Sequence, residues 1–331
     1  MQPHATKMLL LGAAVAAFAV GPVSAQTLTL ATDAAGTTYN AVGSGMAKVI
    51  TEGSSVRVIV RPFGGPDSYL DQLNNGEINF AALSGSSTHY AYNGKNKNKK
   101  AYKNMRLVRS GEGGLYVGFI VMNNSDIKTV AGLKGRRVAS SYGGHAVIGP
   151  SIQGGLATAG LSWDMVKPVP VTGANDGVAA LDNGRVDSAW SSLGQPVVSQ
   201  LNAQKGIRYL SFEKSPKSLA ALRKIIFPGV KLEMIKKNPS LGVQDDVNLI
   251  TYDAYLVAHK DVPDATVKKV LEAMWNKTDE LVKIHRGLRG FTREAAVTDI
   301  PMAPYHPAAI AFYKEKGLWS KEAETAARML K

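Results

Sequence analysis

Cysteine is absent from all 331 residues. Disulfides and thiolate chemistry are thereby excluded, and the fold must rest on an apolar core, which this length permits. Histidine is scarce, with six residues. None stands in a His-Glu-x-x-His pair, so no zinc site is expected. The Gly-x-Ser-x-Gly elbow and the Gly-rich phosphate loop ending in Gly-Lys-Ser/Thr are both missing. Ser-x-x-Lys occurs at Ser125/Lys128 and Ser211/Lys214 without its Ser-Asp-Asn and Lys-Thr-Gly companions, which reads as surface pairing. An enzyme is not indicated, and no metal or cofactor is expected. Beyond Val20 no apolar run is long enough to span a bilayer.

What is present begins with a secretory pattern. Lys7 supplies the charged region, Met8 to Val20 the apolar run and Val23-Ser24-Ala25 the small-residue cleavage site. Residues 1–25 are therefore expected to be a cleaved signal peptide, leaving a periplasmic protein that starts at Gln26. Net charge is +13, from 39 basic and 26 acidic residues, a balance that draws anions. The densest run, Lys95 to Lys100, lies between Tyr92 and Tyr102, with Lys103 just beyond. Those tyrosines are where stacking platforms for nucleic acid would stand. The export pattern argues for a solvated loop and no nucleic-acid partner.

Two stretches echo one another. Leu70 and Leu73 end a helix, Gly76 stops it, Ile78, Phe80 and Ala82 alternate as a strand, and Ser84-Gly85-Ser86-Ser87 reads as a polar loop at its tip. Leu181, Asn183-Gly184, Val186 to Trp190 and Ser191-Ser192 repeat the order. The reading is α/β: two lobes of similar build, each a sheet flanked by helices, presenting polar strand tips to a shared cleft. Lobe I is expected over 26–115 plus 255–331 and lobe II over 116–254. Gly111, Gly113 and Gly114 separate two expected strands, 105–108 and 116–121, at the first crossing. A strand over 252–258 makes the return, and one long helix is expected from Pro263-Asp264 to His285, with His285 at the core edge. Residues 202–248 yield only a short helix over 219–225.

In open α/β sheets, ligands sit beyond the carboxyl ends of strands, against helix N-termini whose backbone N–H groups are unpaired. Asp33 to Thr38 is such a strand-to-helix loop, followed by Tyr39, Val42, Met46, Val49 and Ile50 at helical spacing. Of Thr37 and Thr38, one can cap the helix while the other faces a ligand. Ser140 to His145 is the second such loop, its helix starting near Gly149-Pro150 because a proline deeper inside would break it. The expected ligand contacts are Thr37, Thr38, Tyr39, Ser84, Ser86, Gly144, His145, Trp190, Ser191 and Gln195. Trp190 reads equally well as core.

Four stretches carry a family resemblance: Gly36-Thr37-Thr38-Tyr39, Leu73 to Asn79, Ile127 to Val138 with Leu133-Lys134-Gly135-Arg136-Arg137-Val138, and His306-Pro307-Ala308-Ala309-Ile310 to Tyr313-Lys314-Glu315-Lys316-Gly317. Together the chain resembles the TAXI family of TRAP-transporter solute receptors. It departs from that pattern at Tyr39-Asn40, at Ser84 to Ser87 and at Tyr142 to His145. The resemblance implies a monomeric two-lobed clamp of the type II, Venus-flytrap kind. Such a clamp binds a small organic anion, glutamate-like or a dicarboxylate, and hands it unchanged to TRAP membrane subunits. A receptor for an ABC importer, a ligand-binding module for a membrane-bound sensor and an exported enzyme on the same two-lobed scaffold are the alternatives.

Overall fold

The computed structural model describes residues 26–95 and 99–330. The expected signal peptide and the middle of the lysine-rich run lie outside the described residues. Among the described residues, no helix is long and apolar enough to cross a membrane.

The chain opens with strand β1 (Gln26–Thr32), helix α1 (Thr38–Gly53) and strand β2 (Val56–Pro62). The expected stripe of α1 is buried, with Val42, Met46, Val49 and Ile50 on the sheet side. A 3-10 turn and the short α2 (Leu70–Asn74) lead through Gly76, at φ +80, into β3 (Phe80–Ser84). Strand β3 is buried along its whole length, as a central strand covered on both faces must be. The polar loop expected at Ser84 to Ser87 is instead the start of a helix, α3 (Gly85–Tyr92). The Ser84 hydroxyl accepts from the Ser87 amide, so residues that read as loop formers serve as cap and first turn. Tyr92 and Tyr102, flanking the lysine-rich run, are buried, and Lys103 and Lys100 lie over their rings.

The two strands expected around Gly111 to Gly114 form one strand, β4 (Met105–Met122). These glycines do not break it; they let another segment lie against it. A Cβ on Gly111 would stand 2.4 Å from the Phe291 ring, and one on Gly114 would stand 2.8 Å from the Gly287 carbonyl oxygen. Next come β5 (Arg137–Ser140), α4 (Ile148–Ala157), β6 (Lys167–Pro170), α5 (Ala174–Asp182) and β7 (Ala189–Ser192). Gly184, at φ +73, stops α5 as Gly76 stops α2, so the sequence echo is a structural one. Residues 196–235 hold more structure than their sequence pattern announces: α6 (Pro196–Lys205), β8 (Ile207–Tyr209), α7 (Pro216–Ile225) and β9 (Lys231–Ile235).

Strand β10 (Val247–His259) returns. The single long helix expected after it is two, α8 (Asp264–Asn276) and α9 (Thr278–Ile284). At the break the Thr278 hydroxyl bonds back to the carbonyls of Met274 and Trp275 and accepts from the buried Arg109 guanidinium, competing with the helical ladder. His306 caps α10 (Pro307–Glu315), and α11 (Lys321–Met329), absent from the sequence reading, closes the chain.

Pairing shows how the halves are joined. The order β2-β1-β3-β10-β4-β7 makes one hydrogen-bonded path, with β8 on β4 and β9 on β10. Strands β1, β2 and β3 are parallel, β10 runs antiparallel to β3, and β5-β6 form a parallel pair tied to the strand-β7 segment by a bridge between Val138 and Ser188. The lower half of β4 pairs with the end of β10 beside β3; its upper half pairs with the start of β10 and with β7. The halves are thus not independent sheets: one 8-stranded sheet runs through both, carried across by the long strands β4 and β10. The register of those strands shifts between Tyr252 and Ala254, and such bulges bend a strand locally.

Candidate functional site

The strand ends and helix starts of both halves converge on one half-open cavity of about 70 Å³. On the first side α1 begins there. Thr37 is its N-cap, donating to the Ala34 carbonyl at 2.6 Å and accepting from the Asn40 amide at 3.3 Å. Thr38 is free to face across, and its hydroxyl meets that of Ser192 at 2.6 Å. The start of α3 follows, where Ser84, Ser86 and Ser87 form a cluster of hydroxyls at 2.9 Å. From the second side Val147 and Ile148 at the start of α4, Ala174 at the start of α5 and Gln195 before α6 complete the lining. Helix starts carry partial positive charge and unpaired N–H groups, so this end-on arrangement favours a negative group.

The charged pair in the wall is Asp33 with His145. Asp33 follows β1 and His145 follows β5; both are buried, and His145 Nε2 stands 3.1 Å from Asp33 Oδ2. Burial alone pulls the imidazole down. The Asp33 charge and hydrogen bond, the Gly143 carbonyl and the Asp67 charge together outweigh it, so the His145 pKa is raised. Beside Asp33 the charged form of the His145 ring is thereby favoured. Asp33 Oδ1 is buried and accepts no hydrogen bond, and neither does the buried hydroxyl of Tyr39 take part in one. A polar atom left so is costly unless something fills the cavity beside it. Burial also raises the Tyr39 hydroxyl well above its ordinary pKa and pushes that of Tyr252 up to about 12, so both remain neutral donors. Among the described residues, no lysine or arginine lines the cavity.

The halves touch directly around it. The Asp67 amide donates to the Gly144 carbonyl and its carboxylate accepts from the Ala146 amide. Asn175 donates to the Ala35 carbonyl, and His285 Nε2 stands 3.2 Å from the Gly194 carbonyl oxygen. His285, expected at the core edge, is half-buried and makes this cross-cleft contact; burial lowers its pKa.

Of the residues expected to contact a ligand, Thr37, Thr38, Tyr39, Ser84, His145, Trp190, Ser191 and Gln195 line the cavity. Ser86 and Gly144 do not. Ser86 is fully buried behind Ser84, and Gly144 packs on Gly64 and Gly65 of the facing loop. Trp190 is both core and wall: it stacks edge-on against Phe119 at 5.1 Å while bordering the cavity. Ser191 turns its hydroxyl to Tyr209. Gln195 is held by Asn175. Sequence reasoning missed Asp33, Ser87, Ser192 and Tyr252. The signal for Asp33 was available, since a carboxylate directly after a strand and before a helix start lies where ligands sit.

Residues 30–317 match the NMT1-like family. Among solved structures, one described as a periplasmic transporter is 14% identical, with a TM-score of 0.54 over 93% of this chain and 97% of its own. A protein from Bordetella bronchiseptica RB50 is 15% identical, with a TM-score of 0.52 over 92% and 97%. The zinc-bound ligand-binding component of an ABC-type import system from Staphylococcus aureus is 13% identical, with a TM-score of 0.50 over 88% and 92%. At such identities the likeness is one of fold: the chain has the two-lobed α/β architecture of periplasmic binding proteins.

Proposed function

This chain belongs to the NMT1-like family, and we propose that it is a periplasmic solute receptor that closes on a small organic acid and passes it, unaltered, to a membrane permease. The observation that carries this reading is the cavity between two lobes, lined by helix starts and bridged by bonds from one lobe to the other. We take lobe I as 26–115 with 255–331 and lobe II as 116–254, hinged on β4 and β10. The protein acts as a monomer, without a cofactor or chemical step.

Charge narrows the solute. The His145 ring is already paired with Asp33, and the cavity lining holds no lysine or arginine among the described residues, so a second buried negative charge would have no cation to meet it. A single carboxylate can be held by donors alone. Hydrogen bonds to a charged group contribute about 1.5–3 kcal/mol each, so four give about 6–12 kcal/mol before ordering costs. Micromolar affinity needs about 8 kcal/mol. The free oxygen of Asp33 calls for an N–H or O–H on the same solute. A carboxylate that also bears an ammonium, amide or hydroxyl fits better than a plain dicarboxylate.

The TAXI-like stretches at Gly36 to Tyr39 and His306 to Gly317 favour a TRAP permease as the recipient. The fold shared with an ABC-type import component favours an ATP-driven one equally. Genes beside this one distinguish the two, because the membrane subunits differ. The receptor reading itself is tested by mass spectrometry of small molecules released from the purified protein, then by a melting-shift screen of carboxylic acids. A stoichiometric compound recovered unchanged supports it; turnover of that compound, or no acid shifting the melt, contradicts it.

A further inference from the structure

A second cavity, of about 330 Å³, lies behind the shared strands. Tyr252 of β10 borders the cleft, while the next residue, Asp253, borders this cavity. Neighbouring residues of a strand point to opposite faces, so the two spaces lie on either side of the crossing. The cavity is lined by Ser110, Glu112, Lys231, Asp253, Glu294 and Asp299, among others. Four carboxylates against one lysine make an acidic pocket in a chain whose net charge is +13.

Two of its polar atoms lack what burial demands. Ser110 is 1% exposed and its hydroxyl has no hydrogen-bond partner. Asp253 Oδ1 is buried and accepts no hydrogen bond; the nearest cation, Lys231 Nζ, stands 3.8 Å away and is held at 2.7 Å by Glu112. Asp253 Oδ2 accepts from Thr298 at 3.0 Å, and the Gly113 backbone N–H also favours the charged carboxylate, though not enough to offset its burial. Burial raises the Asp253 pKa, a cost that a cation beside it would relieve.

We propose that this hinge cavity binds an organic cation, a primary ammonium with a short apolar tail, between Asp253 Oδ1 and the Ser110 hydroxyl. An ammonium brings three N–H donors on one charge, which suits acceptors that do not close into a shell. Among the described residues, no three His, Cys, Asp or Glu side chains converge as a metal needs. The tail is accommodated by an adjoining apolar pouch of about 40 Å³, lined by Phe227, Tyr255 and Met302 and sharing Lys231, Asp253 and Thr298 with the main cavity. The site does not depend on the cleft's own solute.

The test is calorimetric titration of the purified protein with n-butylammonium chloride, against sodium chloride and tetraethylammonium chloride at equal ionic strength. Saturable binding of n-butylammonium alone is expected, weakened about tenfold or more in Asp253→Asn and less in Ser110→Ala, as loss of a charged and of a neutral acceptor should do. Melting curves establish that each variant is folded, and Ser110→Ala carries the test if Asp253→Asn is not. No saturable binding, equal binding of tetraethylammonium, or unchanged affinity in the folded variants would overturn the proposal.

Discussion

Asp33 and His145 decide more than any other pair of residues, because they join the halves and face the cavity together. Replacing His145 by Gln leaves the Asp33 carboxylate buried without its cation, which costs about 3–5 kcal/mol when one partner of a buried pair is removed. That cost falls on the closed form, where the pair exists. Solute affinity should drop by two orders of magnitude or more, while the melting point of the solute-free protein changes little; a Kd within about threefold of the parent would refute the assignment. The pH dependence follows from the same pair. The His145 pKa is raised in the closed form. Its contribution is therefore fully present below the ordinary histidine pKa, about 6.5, and is lost as pH rises through the raised value. Affinity measured against pH should be level on the acid side and fall on the alkaline side, and His145→Gln should flatten that fall. Thr38 and Ser86 separate in the same way. Thr38→Ala removes a hydroxyl that reaches Ser192 across the cleft, so affinity should weaken by about 1 kcal/mol. Ser86→Ala lies behind the wall and should leave affinity within twofold, read in the same titration.

Loops of both halves meet around the cavity. Gly65, at φ +153, faces the other half: a Cβ there would stand 2.4 Å from the Gly144 carbonyl oxygen and 2.5 Å from the His145 ring. Gly65→Ala adds backbone strain and also obstructs closure. Its solute affinity should fall by more than its loss of solute-free stability accounts for, and equal losses in the two would show that strain alone acts. Sequence patterns revealed the elements whose periodicity is set by one buried face, such as α1 with Val42, Met46 and Val49. They misled where a residue serves two purposes. Ser84 to Ser87 look like a loop because serines compete with the backbone, yet that same competition is what caps α3. Gly111 and Gly114 look like breakers, but they admit Phe291 and Gly287 from a segment far away in sequence, which no local pattern records. The break at Thr278 depends on Arg109, equally distant.

At the scale of the molecule, repetition was the legible feature. Two helix–glycine–strand units with the same stop chemistry led to two lobes, and the lobes to a cleft at their strand ends. The candidate site followed from that placement for Thr37, Thr38, Ser84 and His145. What stayed hidden was the matching of residues across the cleft, Asp33 to His145 and Thr38 to Ser192, because the partners stand 112 and 154 positions apart and no local pattern records such a pairing. The absence of cysteine offers a direct way to watch that closure. Arg57 and Lys134 are exposed, one on each half, and Arg57→Cys with Lys134→Cys gives two labelling sites on an otherwise thiol-free chain. The deciding measurement is the distance between spin labels at these sites, first in protein stripped of its small molecules by unfolding and refolding, then after the released compounds are returned. A clamp predicts a longer distance in the stripped protein and its return to the shorter one on re-addition. The same distance in both states, with the compounds bound, would contradict it.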